Sequence, residues 1–279
     1  MKKNILTLYL LITLTTFYNF SCNTTEPPIV DNIPPGKRDY VWSIDSIDYG
    51  NLPGLIQIES IWGSSSTDVW GANGDAADVR DCLWHYDGVK WSRATEGTPI
   101  TTGNGNKVVY SVWGTAQNNV WAFGRKINFG TLTAFMMHYD GSQWVDVTPA
   151  NVNALNANLY CVYGTAANNI WVGGYEYALH YDGSHWNTYK VADSIIVSSI
   201  SGNDKYLYLT TYSPWDDFTP SNLCLFSGGS FIVIDQSPVS PIKFGLGLWV
   251  RPNEIKSFAD GIISTTIKED GTISNNGWH

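Results

Sequence analysis

One eleven-residue segment, written three times, constrains this chain more than any other feature. Ser60-Ile61-Trp62-Gly63-Ser64-Ser65-Ser66-Thr67-Asp68-Val69-Trp70 returns as Ser111-Val112-Trp113-Gly114-Thr115-Ala116-Gln117-Asn118-Asn119-Val120-Trp121. It returns again as Cys161-Val162-Tyr163-Gly164-Thr165-Ala166-Ala167-Asn168-Asn169-Ile170-Trp171. Each copy is followed by a second signature. His85-Tyr86-Asp87-Gly88 precedes Trp91, His138-Tyr139-Asp140-Gly141 precedes Trp144, and His180-Tyr181-Asp182-Gly183 precedes Trp186. Trp62 and Trp113 are 51 residues apart, and Trp113 and Tyr163 are 50 apart. Two degraded copies follow. One holds Ser199-Ile200-Ser201-Gly202, Tyr206 to Leu209, and Leu225-Phe226-Ser227-Gly228 before Phe231; the other holds Leu248-Trp249, Asn253-Glu254-Ile255 and Asp270-Gly271.

A fixed period of about 40–50 residues with strand-like content marks a β-propeller. In the second copy the expected strands are 108–113, 120–123, 135–139 and 144–147. Asn in the segment 115–119 turns the first hairpin. Asp140-Gly141 is expected to turn the last as a two-residue type I′ turn, because Asp-Gly accepts positive φ. Four meandering strands make one blade, and a lone blade cannot bury both faces, so blades must stack. Composition agrees: hydrophobic residues reach 43% and charged residues only 15%, which suits short buried strands and argues against a helical bundle. Eight of the 13 Trp fall on repeat positions and are expected to pack between blades. The fold class is therefore all-β, a propeller of four-stranded antiparallel blades. Five blades are expected, with residues 40–45 (Tyr40-Val41-Trp42-Ser43-Ile44-Asp45) supplying the outer strand of the last and closing the ring.

The first residues read as an export address. Lys2 and Lys3 precede an uncharged, mostly apolar run from Ile5 to Phe20, and Phe20-Ser21-Cys22 follows. This resembles a bacterial lipoprotein signal with Cys22 as the lipidated residue. Residues 1–21 are expected to be removed, 22–39, with Pro27, Pro28, Pro34 and Pro35, to form a tether, and 40–279 to form a single propeller domain. The expected location is the cell envelope, as an outer-membrane or surface lipoprotein, or else secretion. Removal of the leader takes two lysines and no acid, so the formal charge of −9 becomes −11. That sign argues against a protein that neutralises phosphates, so no nucleic-acid partner is expected.

The paired Ser-Val-Trp-Gly and His-Tyr-Asp-Gly-x-x-Trp motifs resemble those of secreted bacterial repeat lipoproteins. Their propellers are similar to Kelch, sialidase-type Asp-box and photosystem assembly-factor propellers. The Asp-box form separates Asp and Gly, whereas Asp140 and Gly141 are adjacent. The resemblance implies an extracytoplasmic binding or assembly surface and specifies no activity.

Function must then sit where the repeats diverge. In a propeller the 2–3 and 4–1 loops share one face, and here that face carries every irregular insertion: 71–81, 96–106, 124–133, 149–158 and 213–221. A rigid scaffold carrying variable loops on one side is a usual layout for binding. Trp215, Phe218 and Phe129 are the aromatics outside the repeat pattern, and Asp78, Arg80, Arg125, Asp216 and Asp217 are nearby charges. Together they are the candidate ligand-binding residues, with a protein or a glycan as partner and the membrane met only through the lipid. A monomer is expected, with no cofactor, no metal and no catalytic residue. His85, His138 and His180 belong to different blades, too far apart to share a metal. Cys82, Cys161 and Cys224 lack any Cys-x-x-Cys spacing and are expected as free thiols, a Cys161–Cys224 bridge being the lesser alternative. The competing function is a carbohydrate-active hydrolase or lyase using two acids among Asp75, Asp78, Asp81, Asp216 and Asp217.

Overall fold

The computed structural model describes residues 46–47, 56–74, 82–94, 100–101, 106–128, 130–155, 157–215, 222–236, 247–258 and 262–274. The chain divides into two compact units, Met1–Asp45 and Ser46–His279, and every described residue lies in the second. Among the described residues the regular structure is almost entirely β. Blade one consists of β1 (Ile58–Ser65), β2 (Asp68–Asn73), β3 (Leu83–Tyr86) and β4 (Trp91–Arg93). Blade two holds β5 (Ile100–Thr101), β6 (Asn106–Ala116), β7 (Asn119–Asn128), β8 (Thr131–Tyr139) and β9 (Trp144–Asp146), followed by the helical turn α1 (Ala150–Asn153). Blade three has β10 (Leu159–Ala166), β11 (Asn169–Gly174), β12 (Tyr177–Tyr181) and β13 (Trp186–Lys190). Blade four has β14 (Ile196–Gly202), β15 (Leu207–Tyr212), β16 (Asn222–Ser227) and β17 (Ser230–Gln236). Blade five has β18 (Gly247–Val250), β19 (Glu254–Phe258) and β20 (Ile262–Thr266).

The strands pair antiparallel in chain order, giving the expected propeller of four-stranded meanders. In blade two, β5 adds a fifth strand, parallel to β9 on the outer edge. In blade five, Ile273 bridges Ile267 and the Ser274 N–H donates to the Thr266 carbonyl, so the chain itself enters the position beside β20. Residues 40–45, the proposed closing strand, lie outside the described residues.

Two expectations need correction. The segment 124–133 is a strand hairpin and not an irregular insertion: β7 and β8 pair without interruption to Asn128↔Thr131. It extends blade two because Arg125 to Asn128 and Thr131 to Ala134 can continue the ladder across the tight turn at Gly130, whose φ is +82°. The Asp-Gly turns are four-residue loops and not two-residue type I′ turns. Tyr139 pairs with Trp144, and Asp140 Oδ1 accepts the N–H groups of Ser142 and Gln143 at 2.8 and 3.0 Å. Gly141 sits at φ +96°, where only glycine is at ease, and Gly88 and Gly183 repeat the geometry at +92° and +96°.

The core lies between blades. Trp70 of blade one meets Tyr139 and Trp144 of blade two at 5.1 and 5.2 Å between ring centroids. Trp121 meets Tyr181 and Trp186 of blade three at 5.4 and 5.8 Å, and Trp171 meets Phe226 and Phe231 of blade four at 4.8 and 6.1 Å. Such pairs each add about 0.5–1.5 kcal/mol beyond their buried area. At the next interface the Trp position is Tyr208, fully buried, whose hydroxyl donates to the Gly271 carbonyl of blade five at 2.9 Å. The Trp-Gly motif belongs to the same packing. A Cβ on Gly164 would stand 2.4 Å from the Trp113 ring, and one on Gly114 2.8 Å from Trp62.

Candidate central site

The three repeat histidines show what the signature residues do. His138 Nε2 lies 2.7 Å from Asn119 Oδ1, His180 Nε2 2.8 Å from Asn169 Oδ1, and His85 Nε2 2.7 Å from Asp68 Oδ1. Each ring also packs on its blade's Trp121, Trp171 or Trp70 at 4.2–4.4 Å. Burial lowers the pKa of His138 and His180, and the nearby Asp140 and Asp182 oppose that shift. These are positioning contacts within single blades.

Cys82, Cys161 and Cys224 form no disulfide with one another. Burial pushes the Cys161 and Cys224 thiols up to about 12, so neither is poised as a nucleophile.

The chemistry-bearing surface is the middle of the propeller, where the innermost strands of blades one to four enclose a cavity of about 620 Å³. One backbone device shapes it. β1 slips register between Ile58 and Ser60, β6 between Val109 and Ser111, β10 between Leu159 and Cys161, and β14 between Val197 and Ser199. The skipped residues are Glu59, Tyr110, Tyr160 and Ser198, and all four line the cavity. A β-bulge re-aims the extra side chain, and here it does so at equivalent positions in blades one to four. The residue before each bulge is apolar (Ile58, Val109, Leu159, Val197) and the one after is small (Ser60, Ser111, Cys161, Ser199), whereas the bulged residue is Glu, Tyr, Tyr and Ser in turn.

The bulges lie at the starts of the innermost strands, on the 2–3 and 4–1 loop face. There Tyr110 and Tyr160, from neighbouring blades, lie 5.1 Å apart at 43°. The Arg125 guanidinium sits over the Tyr110 ring at 5.6 Å. Asn158 Nδ2 donates to the Tyr160 hydroxyl at 2.7 Å. Tyr212, at the end of β15, adds a third phenol whose pKa is raised by burial and then by the neighbouring Tyr160. Ser198 turns back to Thr210, its Oγ 2.9 Å from the Thr210 hydroxyl. On blade one, Gln57 Nε2 makes a long 3.5 Å contact with Glu59, whose carboxylate lies over Gly74. Ser111 Oγ, Arg125 Nε, Asn158 Oδ1 and Asn222 Oδ1 are buried without a hydrogen-bond partner; Ser111 stands at the cavity wall, Asn158 just before β10, Asn222 at the start of β16 and Arg125 within β7.

Of the sequence-derived candidates, Arg125 lies in β7, paired with Val108 and Ala134, and Trp215 lies beyond β15 with 76% of its surface exposed. They belong to blades two and four. Phe129, Asp78, Arg80, Asp216, Asp217 and Phe218 lie outside the described residues, as do Asp75, Asp81 and Cys22. Sequence reasoning missed Glu59, Tyr110, Tyr160 and Tyr212. The available signal was that three of them fall within or beside the repeat, at a position where the copies disagree.

Among protein-family models and curated proteins, none matches this chain. Solved structures do match. The extracellular domain of BT4673, a protein of B. thetaiotaomicron assigned to the hybrid two-component systems, superposes with a TM-score of 0.53 at 14% identity, covering 80% of this chain and 28% of that one. The corresponding domain of BT3049 from the same organism gives a TM-score of 0.50 at 14% identity, covering 80% and 32%. The chain thus spans under a third of the length of these neighbours. At such identity the likeness concerns the fold alone.

Proposed function

We propose that this chain is a lipid-anchored, extracytoplasmic propeller of the repeat-lipoprotein kind that captures a protein or glycan on its 2–3 and 4–1 loop face. The observation that carries the reading is the central cavity, which opens among Tyr110, Tyr160 and Tyr212 with Arg125 stacked behind. A concave site lined by aromatic side chains with a few convergent polar groups is what small-ligand recognition requires. Trp215, exposed just beyond β15, is an aromatic group on the 2–3 loop side of blade four. The export address ending at Cys22 and the extracellular origin of the two structural neighbours support the location.

The hydrolase alternative needs two carboxylates converging on one point. Among the described residues lining the cavity, Glu59 is the one carboxylate, and the acids that the alternative names, Asp75, Asp78, Asp81, Asp216 and Asp217, lie outside the described residues. The full-length chain, extracted in mild detergent, is to be tested on a glycan array and in pull-downs from envelope fractions. Retention of a ligand by the intact chain, and its loss in Tyr160→Ala with unchanged thermal stability, is the expected outcome. Turnover of the retained glycan by the chain alone would replace the reading with the enzymatic one. For the anchor, labelled fatty acid is expected to enter the wild-type chain and not Cys22→Ala.

A further inference from the structure

The five blades act as an internal alignment. Positions that repeat are explained by packing: Trp70, Trp121 and Trp171 stack on the next blade, and Gly114 and Gly164 receive the preceding blade's ring. The bulge position is the exception, because its geometry repeats in blades one to four while its residue runs Glu, Tyr, Tyr, Ser. Resting on the binding reading above, we infer that Glu59, Tyr110 and Tyr160 select the ligand, and that this ligand is a neutral saccharide.

The chemistry of the lining carries the choice. Two tilted phenol rings present broad apolar faces, which suit the C–H faces of a sugar ring. Around them the polar groups are mixed in kind. Glu59 is an acceptor, the tyrosines offer hydroxyls, Gln57 offers an amide, and Arg125 stands behind as a donor whose Nε has no partner. A ligand rich in hydroxyls, each both donor and acceptor, can meet such a set without leaving a group unpaired. An anionic ligand would face Glu59 directly and a chain of formal charge −9. A cationic ligand would meet Arg125, which already covers one face of Tyr110. The cavity volume of about 620 Å³ lies within the range of ordinary small-ligand sites. Trp62 and Trp113 line the same cavity, so occupancy has a built-in fluorescent reporter.

The experiment titrates the detergent-extracted full-length chain with three sets of probes: neutral hexose and pentose oligosaccharides, uronic-acid oligomers, and oligolysine. Tryptophan emission and calorimetry are the readouts. At least one neutral oligosaccharide is expected to bind and to shift emission. Tyr110→Ala and Tyr160→Ala are each expected to weaken it about tenfold or more, with the rings kept in Tyr110→Phe and Tyr160→Phe sparing most of the affinity. Glu59→Gln is expected to change the preference among neutral sugars. Thermal unfolding of every variant separates lost binding from lost fold. Saccharide binding that is indifferent to all three positions overturns the inference while leaving the binding reading intact. Binding of oligolysine or uronic acids in place of neutral sugars, or of no saccharide at all, overturns it too; a protein captured on the same face would then preserve only the broader reading.

Discussion

Asn119 holds three neighbours at once. Its Oδ1 lies 3.2 Å from the Trp121 indole nitrogen and 2.7 Å from His138 Nε2, and its Nδ2 donates to Thr115 Oγ1 at 2.7 Å. An indole N–H can only donate, so the atom facing it must be the amide oxygen, and the proton on His138 must then sit on Nε2. Burial holds His138 and His180 below their ordinary value of 6.5, so the folded protein takes up fewer protons than the unfolded chain. Their contribution is present above pH 6.5 and declines as pH falls below it. Asp140 follows at lower pH. Hydrogen bonds from Ser142, first its hydroxyl, and from the Gln143 N–H hold its carboxyl at about 2 against an ordinary 3.8. Its contribution is therefore present above 3.8 and is lost as pH falls through about 2. Thermal midpoints measured from pH 7.5 to 2 are expected to decline in two stages. His138→Phe is expected to flatten the first and Asp140→Ala the second, whereas Asp140→Asn, still able to accept both N–H groups, keeps the turn. That the repeat histidines and aspartates are structural was legible in the sequence. Their partners were not, since Asn119 and His138 are brought together only by the pairing of β7 with β8.

At the scale of elements, the repeated strands followed from alternation and turn residues, whereas the extended hairpin of blade two did not. Arg125 to Asn128 has no counterpart in the other copies, so its strand character emerges only once β6 and β8 flank it. The bulges were equally hidden, because a bulge is a property of two paired strands and not of one segment. Close approach of blades leads to a prediction here. Gly164→Val would drive side-chain atoms into the Trp113 ring and is expected to cost about 1–3 kcal/mol of stability. Trp113→Leu in the same chain is expected to return part of that loss, a non-additivity readable from urea midpoints of the four members of the cycle.

Over the whole molecule, stability is a sum of blade-to-blade contacts. One cluster joins blades one and two around Trp70 and Trp144, and a second joins two and three around Trp121 and Trp186. A third joins three and four around Trp171 and Leu209, and a fourth joins four and five around Tyr208 and Ile255. Trp121→Ala removes the ring that blade three stacks upon and is expected to cost about 3–5 kcal/mol. Because each blade touches mainly its chain neighbours, the loss is expected to broaden the unfolding transition as well as lower its midpoint, visible when tryptophan emission and circular dichroism cease to coincide. Ile61, by contrast, is 62% exposed although its counterparts Val112 and Ile200 are buried, so Ile61→Ser is expected to leave the midpoint nearly unchanged.

The sequence by itself determined the propeller, the order of its blades and the structural duty of its Trp, His and Asp-Gly signatures. Those features are local, and a local pattern written several times over can be checked against itself. The central site was decided only by the tertiary structure. Its residues come from four blades as far apart in the chain as Glu59 and Ser198, and strand register alone aims them at one cavity. Register depends on which strands pair and where they slip, information that no single repeat contains.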